Sequence, residues 1–334
     1  MQYSPKDQMA CVATIIQDDY SNIKNDTYLT IVNIDDKCNF TLEVSIKGKY
    51  TDPSWSKDGK NIAIIIKKEL NDELLIYNTT TKTVNAVCTR KSRKRKPVWD
   101  SHNNIYFMQK ENDNWEIALL DGKTNEVKTV VSDSIYDCMD PEVLPQINKL
   151  VYVLGKEEST LESILSNAPI MLADIKNNTH TMLIQEGINR NPRISPDGTK
   201  MIYEHICNVM YTKCFNMSSI EMYAFKEKTI ISLTSEGSFY SPCWAKNGKH
   251  VYVLCGGNQG RYMRGKALGE IEYNEVGVRF FRISINKKYQ TKDDMKKEKR
   301  NKSFILSYRD QKKENNKVFM SINREWPNSF DIKY

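Results

Sequence analysis

Four short strand patterns, repeated six times along 334 residues, predict an all-β fold. The predicted architecture is a six-bladed β-propeller with four-stranded antiparallel blades. Three observations carry this. A Pro-x-aromatic phrase recurs, followed by a polar turn and an apolar run. A strand–turn–strand phrase follows each copy. Long helical periodicities are absent, which argues against helical solenoids.

The first phrase is truncated at the start of the chain, Tyr3-Ser4-Pro5-Lys6-Asp7. It is complete at Asp52-Pro53-Ser54-Trp55-Ser56-Lys57-Asp58-Gly59, followed by Asn61-Ile62-Ala63-Ile64-Ile65. It returns at Lys96-Pro97-Val98-Trp99, Asn191-Pro192-Arg193-Ile194 and Ser241-Pro242-Cys243-Trp244, with a degenerate copy at Asp140-Pro141-Glu142-Val143. The six aromatic positions are 52, 44, 44, 51 and 50 residues apart. The second phrase appears at Leu74–Asn78, Ile117–Asp121 and Ile170–Asp174, with a looser copy at Ile220–Ala224. β-Branched and aromatic residues between Asn-Gly, Asp-Gly or Asn-Asn turns read as strands. One domain spans 1–334, with blades starting near 3, 53, 97, 141, 192 and 242. The first blade lacks a full inner strand. A segment at about 317–323, Val318-Phe319-Met320-Ser321-Ile322 at its centre, is expected to complete it and close the ring.

Trp55-Ser56-Lys57-Asp58-Gly59 and Ile194-Ser195-Pro196-Asp197-Gly198 resemble the Trp-Ser-Pro-Asp-Gly phrase of the TolB-like six-bladed propellers. The resemblance covers nearly the whole chain. It implies the fold, and it implies functions as different as periplasmic adaptors, propeller domains of prolyl-oligopeptidase-type enzymes, and lyases. No hydrolase domain is expected after the repeats from the sequence as it stands.

Composition narrows the classes. Hydrophobic residues make up 40% and charged residues 27%, enough for a core. No apolar run reaches the ~18 residues of a membrane span. Met1–Asp7 has no apolar signal region, so the sequence as it stands reads as cytoplasmic. Removal of a leader would make it periplasmic or cell-envelope. The eight cysteines lack Cys-x-x-Cys spacing and read as small buried hydrophobes; Cys207 and Cys214 are close enough in a loop to bridge. Neither the cysteines nor the four histidines have metal-ligand spacing, so no metal and no cofactor are expected.

In a four-stranded blade, the connection between strands two and three shares a face, here the top, with the connection to the next blade. Top-face connections are expected to be long at 155–169, 205–219 and 256–275, and function usually sits on such loops. A capping box, Ser159-Thr160-Leu161-Glu162, predicts a short helix in the first. At the channel mouth, Asp52, Lys96, Asp140, Asn191 and Ser241 precede the inner-strand prolines, with Tyr50, Tyr136, Arg190 and Tyr240 close by. Mixed charge between aromatics suits small polar ligands or peptide termini. Alternatively, Asp52 and Asp140 only accept backbone N–H bonds in an Asp-Pro turn.

The net charge of +7 comes from 49 basic and 42 acidic residues. Arg90–Lys96 carries +6 and reads as a solvated top-face loop presenting Arg93 and Arg95. Residues 286–302 carry +5 and fall on the opposite face. Opposed basic loops make no contiguous phosphate footprint, so nucleic acid is disfavoured and an acidic partner favoured. Gly260–Ala267 nearly matches a phosphate-binding loop, but Ala267 replaces the hydroxyl that would hold Mg²⁺; Arg261 and Arg264 remain anion-binding candidates. No catalytic motif is present. The leading expectation is a monomeric, non-catalytic scaffold binding a protein or peptide through its top face. The alternatives are a small-molecule enzyme, a lyase or metal-assisted hydrolase with its site at the channel mouth, and a glycan- or ligand-sensing module.

Overall fold

The computed structural model describes residues 2–3, 8–16, 25–34, 40–111, 113–146, 148–156, 167–208, 217–234, 239–255, 279–285, 303–305 and 321–322. They form consecutive antiparallel meanders. The first sheet holds β1 (Gln2–Tyr3), β2 (Gln8–Ile16), β3 (Asn25–Ile34) and β4 (Phe40–Lys47). The second holds β5 (Tyr50–Trp55), β6 (Asn61–Ile66), β7 (Glu73–Asn78) and β8 (Val84–Cys88). The third holds β9 (Arg93–Trp99), β10 (Ile105–Lys110), β11 (Glu116–Leu120) and β12 (Val127–Val131). The fourth holds β13 (Asp137–Val143), β14 (Lys149–Gly155), β15 (Ile170–Asp174) and β16 (Thr179–Ile184). The fifth holds β17 (Ile188–Ile194), β18 (Lys200–Asn208), β19 (Met217–Ala224) and β20 (Thr229–Ser232). The sixth holds β21 (Phe239–Trp244), β22 (His250–Cys255), β23 (Arg279–Ser284) and β24 (Ser303–Ile305). A last strand, β25 (Ser321–Ile322), pairs with β2 through Ala13↔Ile322 and Thr14↔Ser321.

β25 lies within the C-terminal segment at about 317–323. It shares β2 with β1, which pairs through Gln2↔Ala10 and Tyr3↔Met9. Val318–Met320 lie outside the described residues.

Adjacent sheets share their cores. Ala63, Ile65 and Leu74 of the second sheet pack with Trp99, Phe107 and Leu120 of the third. Equivalent clusters join the third sheet to the fourth, the fourth to the fifth and the fifth to the sixth. Middle strands such as β10 are buried along nearly their whole length because a sheet covers each face. Outermost strands such as β8 and β16 are mostly exposed.

The recurring phrase now has physical content. Ser56 Oγ donates to Asp58 Oδ1 at 2.6 Å, Asp58 Oδ1 accepts from Lys60 N at 3.0 Å, and Ser56 Oγ accepts from Asn61 N at 3.0 Å. Ser195 and Asp197 repeat this turn with Thr199 N and Lys200 N. Gly198 lies at φ +71°, and an added Cβ would stand 2.7 Å from Pro145 Cγ of the fourth sheet. Glycine is needed there both for backbone conformation and for sheet-to-sheet approach. The aromatic position also has a specific partner. Trp99 Nε1 donates to Ser54 O at 3.0 Å and Trp244 Nε1 to Arg193 O at 2.9 Å, each bonding the inner strand of the preceding sheet.

Two expectations are corrected. The segment 90–96 is not a solvated loop: β9 begins at Arg93, and Lys94 is 0% exposed. Its ammonium donates to Asp72 O at 2.8 Å and Ser92 O at 3.3 Å, and also to Arg90 O. Three carbonyls replace the hydration that burial removes. The connection expected at 205–219 is shorter, because β18 runs to Asn208 and β19 starts at Met217. The helix expected at 159–165, Cys214, the 256–275 connection with Arg261 and Arg264, and the basic run 286–302 lie outside the described residues. Cys88, Cys138 and Cys243 are buried free thiols.

Candidate functional site

The five inner strands β5, β9, β13, β17 and β21 share one irregularity. Pairing with the next strand skips two residues, between Thr51 and Ser54 in β5 and between Arg190 and Arg193 in β17, for example. The skipped pair is always a residue with positive φ followed by proline: Asp52 (+52°), Lys96 (+50°), Asp140 (+48°), Asn191 (+48°) and Ser241 (+51°). Proline has no N–H to offer the ladder, and the bulge turns the preceding residue out of it. The left-handed conformation costs each non-glycine residue about 1–3 kcal/mol, so neighbours must hold it.

They do so across sheets. The bulge N–H of one inner strand is accepted by a side chain of the preceding sheet. Lys96 N donates to Asp52 Oδ2 at 3.3 Å and Asn191 N to Asp140 Oδ2 at 2.9 Å. Ser241 N donates to Glu204 Oε1 at 2.6 Å. Lysine cannot accept, so at the third-to-fourth junction Asp140 N donates instead to Met108 Sδ at 3.3 Å. The two aspartates thus accept backbone N–H groups, but those of the next sheet rather than of their own turn.

The Lys96 side chain bridges several sheets. Its Nζ donates to Asn191 Oδ1 at 2.6 Å and lies 3.6 Å from Asp140 Oδ1 and 3.9 Å from Asp52 Oδ1. Asn191 Nδ2 donates to Glu204 Oε1 at 2.7 Å. Beside this cluster Arg193 Nη1 donates to Glu142 Oε2 at 2.9 Å. Burial alone would raise the Asp140 pKa, but the Lys96 ammonium, the Asn191 N–H and the charges of Arg193 and Arg190 hold it below the ordinary carboxylate range. Burial lowers the Arg190 pKa, with Glu204 and Asp140 opposing. For Arg193, burial opposes and the Glu142 carboxylate prevails, so its pKa is raised. Among the described residues, no group of three or more His, Cys, Asp or Glu could hold a metal ion.

Asp52, Asp140 and Arg190 therefore belong to one polar cluster, joined by Lys96 and Asn191. Tyr240 is buried in β21, and Tyr50 packs partly buried against the core shared by the first two sheets. Tyr136 is exposed on the connection into β13, with Lys156 Nζ 5.9 Å from its ring. Arg93 is pinned, donating to Lys68 O, Glu69 O and Asp72 Oδ1. Arg95 lies over Trp115 at 5.1 Å. Three cluster members escaped sequence reasoning: Glu142, Arg193 and Glu204. Glu142 and Arg193 directly follow the prolines, where the other repeats carry Ser54, Val98 and Cys243. A charged pair at an otherwise small or apolar repeat position was the available signal.

The connections between second and third strands meet the start of the next sheet's inner strand. Besides the Arg93 contacts, Trp115 N donates to Asp137 Oδ1 at 2.7 Å and Cys138 N to Trp115 O at 2.8 Å. Ala168 N donates to Gly187 O at 2.9 Å. These segments form one rim, the expected top face. Six large hydrophobic side chains are exposed among the described residues, and three of them are on this rim: Leu70 at 83%, Ile135 at 60% and Tyr136 at 44%.

No family model and no curated protein matches the sequence. Solved structures do match. TolB from Acinetobacter baumannii is 17% identical, with a TM-score of 0.62 over 83% of this chain and 61% of that one. This chain thus spans about three fifths of that protein's length. A putative TolB from Agrobacterium tumefaciens is 14% identical, with a TM-score of 0.57 over 83% of this chain and 86% of that one. The β-propeller domain of the Trilobed protease from Pyrococcus furiosus is 12% identical, with a TM-score of 0.51 over 84% and 79%. The chain has a β-propeller fold similar to that of TolB.

Proposed function

We propose that the protein is a non-catalytic, six-bladed propeller scaffold that binds a protein or peptide partner through its top-face rim. The observation that carries this is the placement of Leu70, Ile135 and Tyr136. Apolar side chains on a rim also bearing Arg90, Lys91, Arg93 and Lys156 suit an extended partner with apolar and acidic residues. The ring is closed in this reading by β1 and β25, which share β2, with β1 also lying against β5 and β21. The polar cluster favours binding over catalysis, because its carboxylates are engaged by Lys96, Arg193 and backbone N–H groups. An enzyme site at the channel mouth would call for carboxylates left to meet a reacting group.

The test uses the full chain as bait and Leu70→Asp/Ile135→Asp as its variant. A partner recovered with the unaltered chain, then purified, should bind the variant at least about tenfold more weakly at an unchanged melting temperature. Equal affinity overturns the reading. The pinned Arg93 is a poorer reporter, because its reversal would also disturb the 68–72 connection.

A further inference from the structure

The Lys96 ammonium occupies an oxygen cage built by other sheets. Its acceptors come from β5 (Asp52), β13 (Asp140) and β17 (Asn191), while Lys96 itself is on β9. An ammonium has three protons to place, and three oxygens surround this one. Only the Asn191 contact, at 2.6 Å, has hydrogen-bond length; those at 3.6 and 3.9 Å are ion-pair distances. The head is tethered to a bulged backbone position of β9. An untethered ammonium would have no such restriction. The cage is reachable, since the side chains of Lys96, Asp52 and Asp140 are 29%, 21% and 16% exposed. It is also electronegative without Lys96. Among the described residues, the charges opposite Asp52, Asp140, Glu142 and Glu204 would then be those of Arg190 and Arg193.

We infer that Asp52, Asp140 and Asn191 form a binding seat for a primary ammonium group, which Lys96 fills from within until an amine-bearing ligand displaces it. The ligand class is an alkylammonium, either a free amine or the amino group of a larger molecule. Quaternary ammonium ions are excluded because they have no N–H to donate.

Lys96→Ala removes the three-carbon stem and head that n-propylammonium would replace. Melting temperatures of this variant are measured with n-propylammonium chloride or tetramethylammonium chloride at equal concentration. Propylammonium should raise the melting temperature saturably by at least about 2 °C, and tetramethylammonium should not. The unaltered chain should need at least about tenfold more propylammonium for the same shift, since Lys96 competes at high effective concentration. Adding Asp140→Asn to the variant should abolish the response. If Lys96→Ala does not fold alone, recovery of folded protein on refolding in propylammonium, but not in tetramethylammonium, is the expected result. The same response to both cations, no response to either, or equal sensitivity of variant and unaltered chain overturns the inference.

Discussion

Asp140 is the residue on which most of the cluster depends. Its carboxylate faces the Lys96 ammonium and accepts from Asn191 N. Its pKa is lowered in the folded chain, so its contribution to stability is complete above the unfolded value of about 3.9 and is lost as pH falls through the folded value. Asp140→Asn should destabilise the protein by about 1–2 kcal/mol at neutral pH. Urea denaturation at pH 7, 5 and 3 should show that difference shrinking toward the acid end. A difference independent of pH would mean that the carboxylate charge is not what matters. Asp197 follows the same sign, with its pKa lowered to about 2 by the Ser195 and Thr199 bonds against the effect of burial. At this scale the sequence was a partial guide. Asp52 and Asp140 were legible because the repeat places them directly before prolines, and Arg190 because it stands two residues before one. Glu204 was not, because β18 has no motif and its role arises only where Asn191 and Ser241 converge on it.

Elements are held by contacts that cross from one sheet to the next. Trp99→Phe keeps the apolar packing and removes the bond to Ser54 O. It should cost about 1 kcal/mol in chemical denaturation, whereas Trp99→Ala should cost about 3–5 kcal/mol through the cavity it opens. Gly198→Ala should also destabilise, by about 1–3 kcal/mol, because φ is +71° and Pro145 stands in the way. Equal stability of Gly198→Ala and the unaltered chain would show that the fourth and fifth sheets can part at little cost. Strand order and turns were readable from periodicity, and the Ser-x-Asp-Gly turn carries its hydrogen bonds in its own residues. The fate of Arg90–Lys96 was not readable. Six basic residues look like a solvated loop by composition. Only the fold brings the carbonyls of Asp72, Arg90 and Ser92 to the Lys94 ammonium.

For the molecule as a whole, β25 is the strand whose removal says most. Truncation after residue 316 takes away the partner of Ala13 and Thr14 in β2. If the ring closes there, the truncated chain should melt several degrees lower, with a broader calorimetric transition than the full chain. An unchanged transition would place closure elsewhere. The repeats made a propeller legible at this scale, since recurring four-stranded meanders are the pattern of propeller blades. The apolar part of the rim was not fully legible, because Leu70 and Ile135 stand out only once their neighbours are buried.

The proline bulges also restrict what can enter the centre. Among the described residues, each of β5, β9, β13, β17 and β21 has one strand neighbour within its sheet, and its other edge meets no second strand, making at most local bonds such as Cys138 N to Trp115 O and Asn189 N to Ala168 O. Such an edge normally invites an extended chain to add as a further strand. Here a left-handed residue and a proline interrupt every one of these strands. No continuous main-chain template runs along them. A guest in the middle of this molecule must therefore be recognised by its side groups, and foreign backbones find nothing to copy.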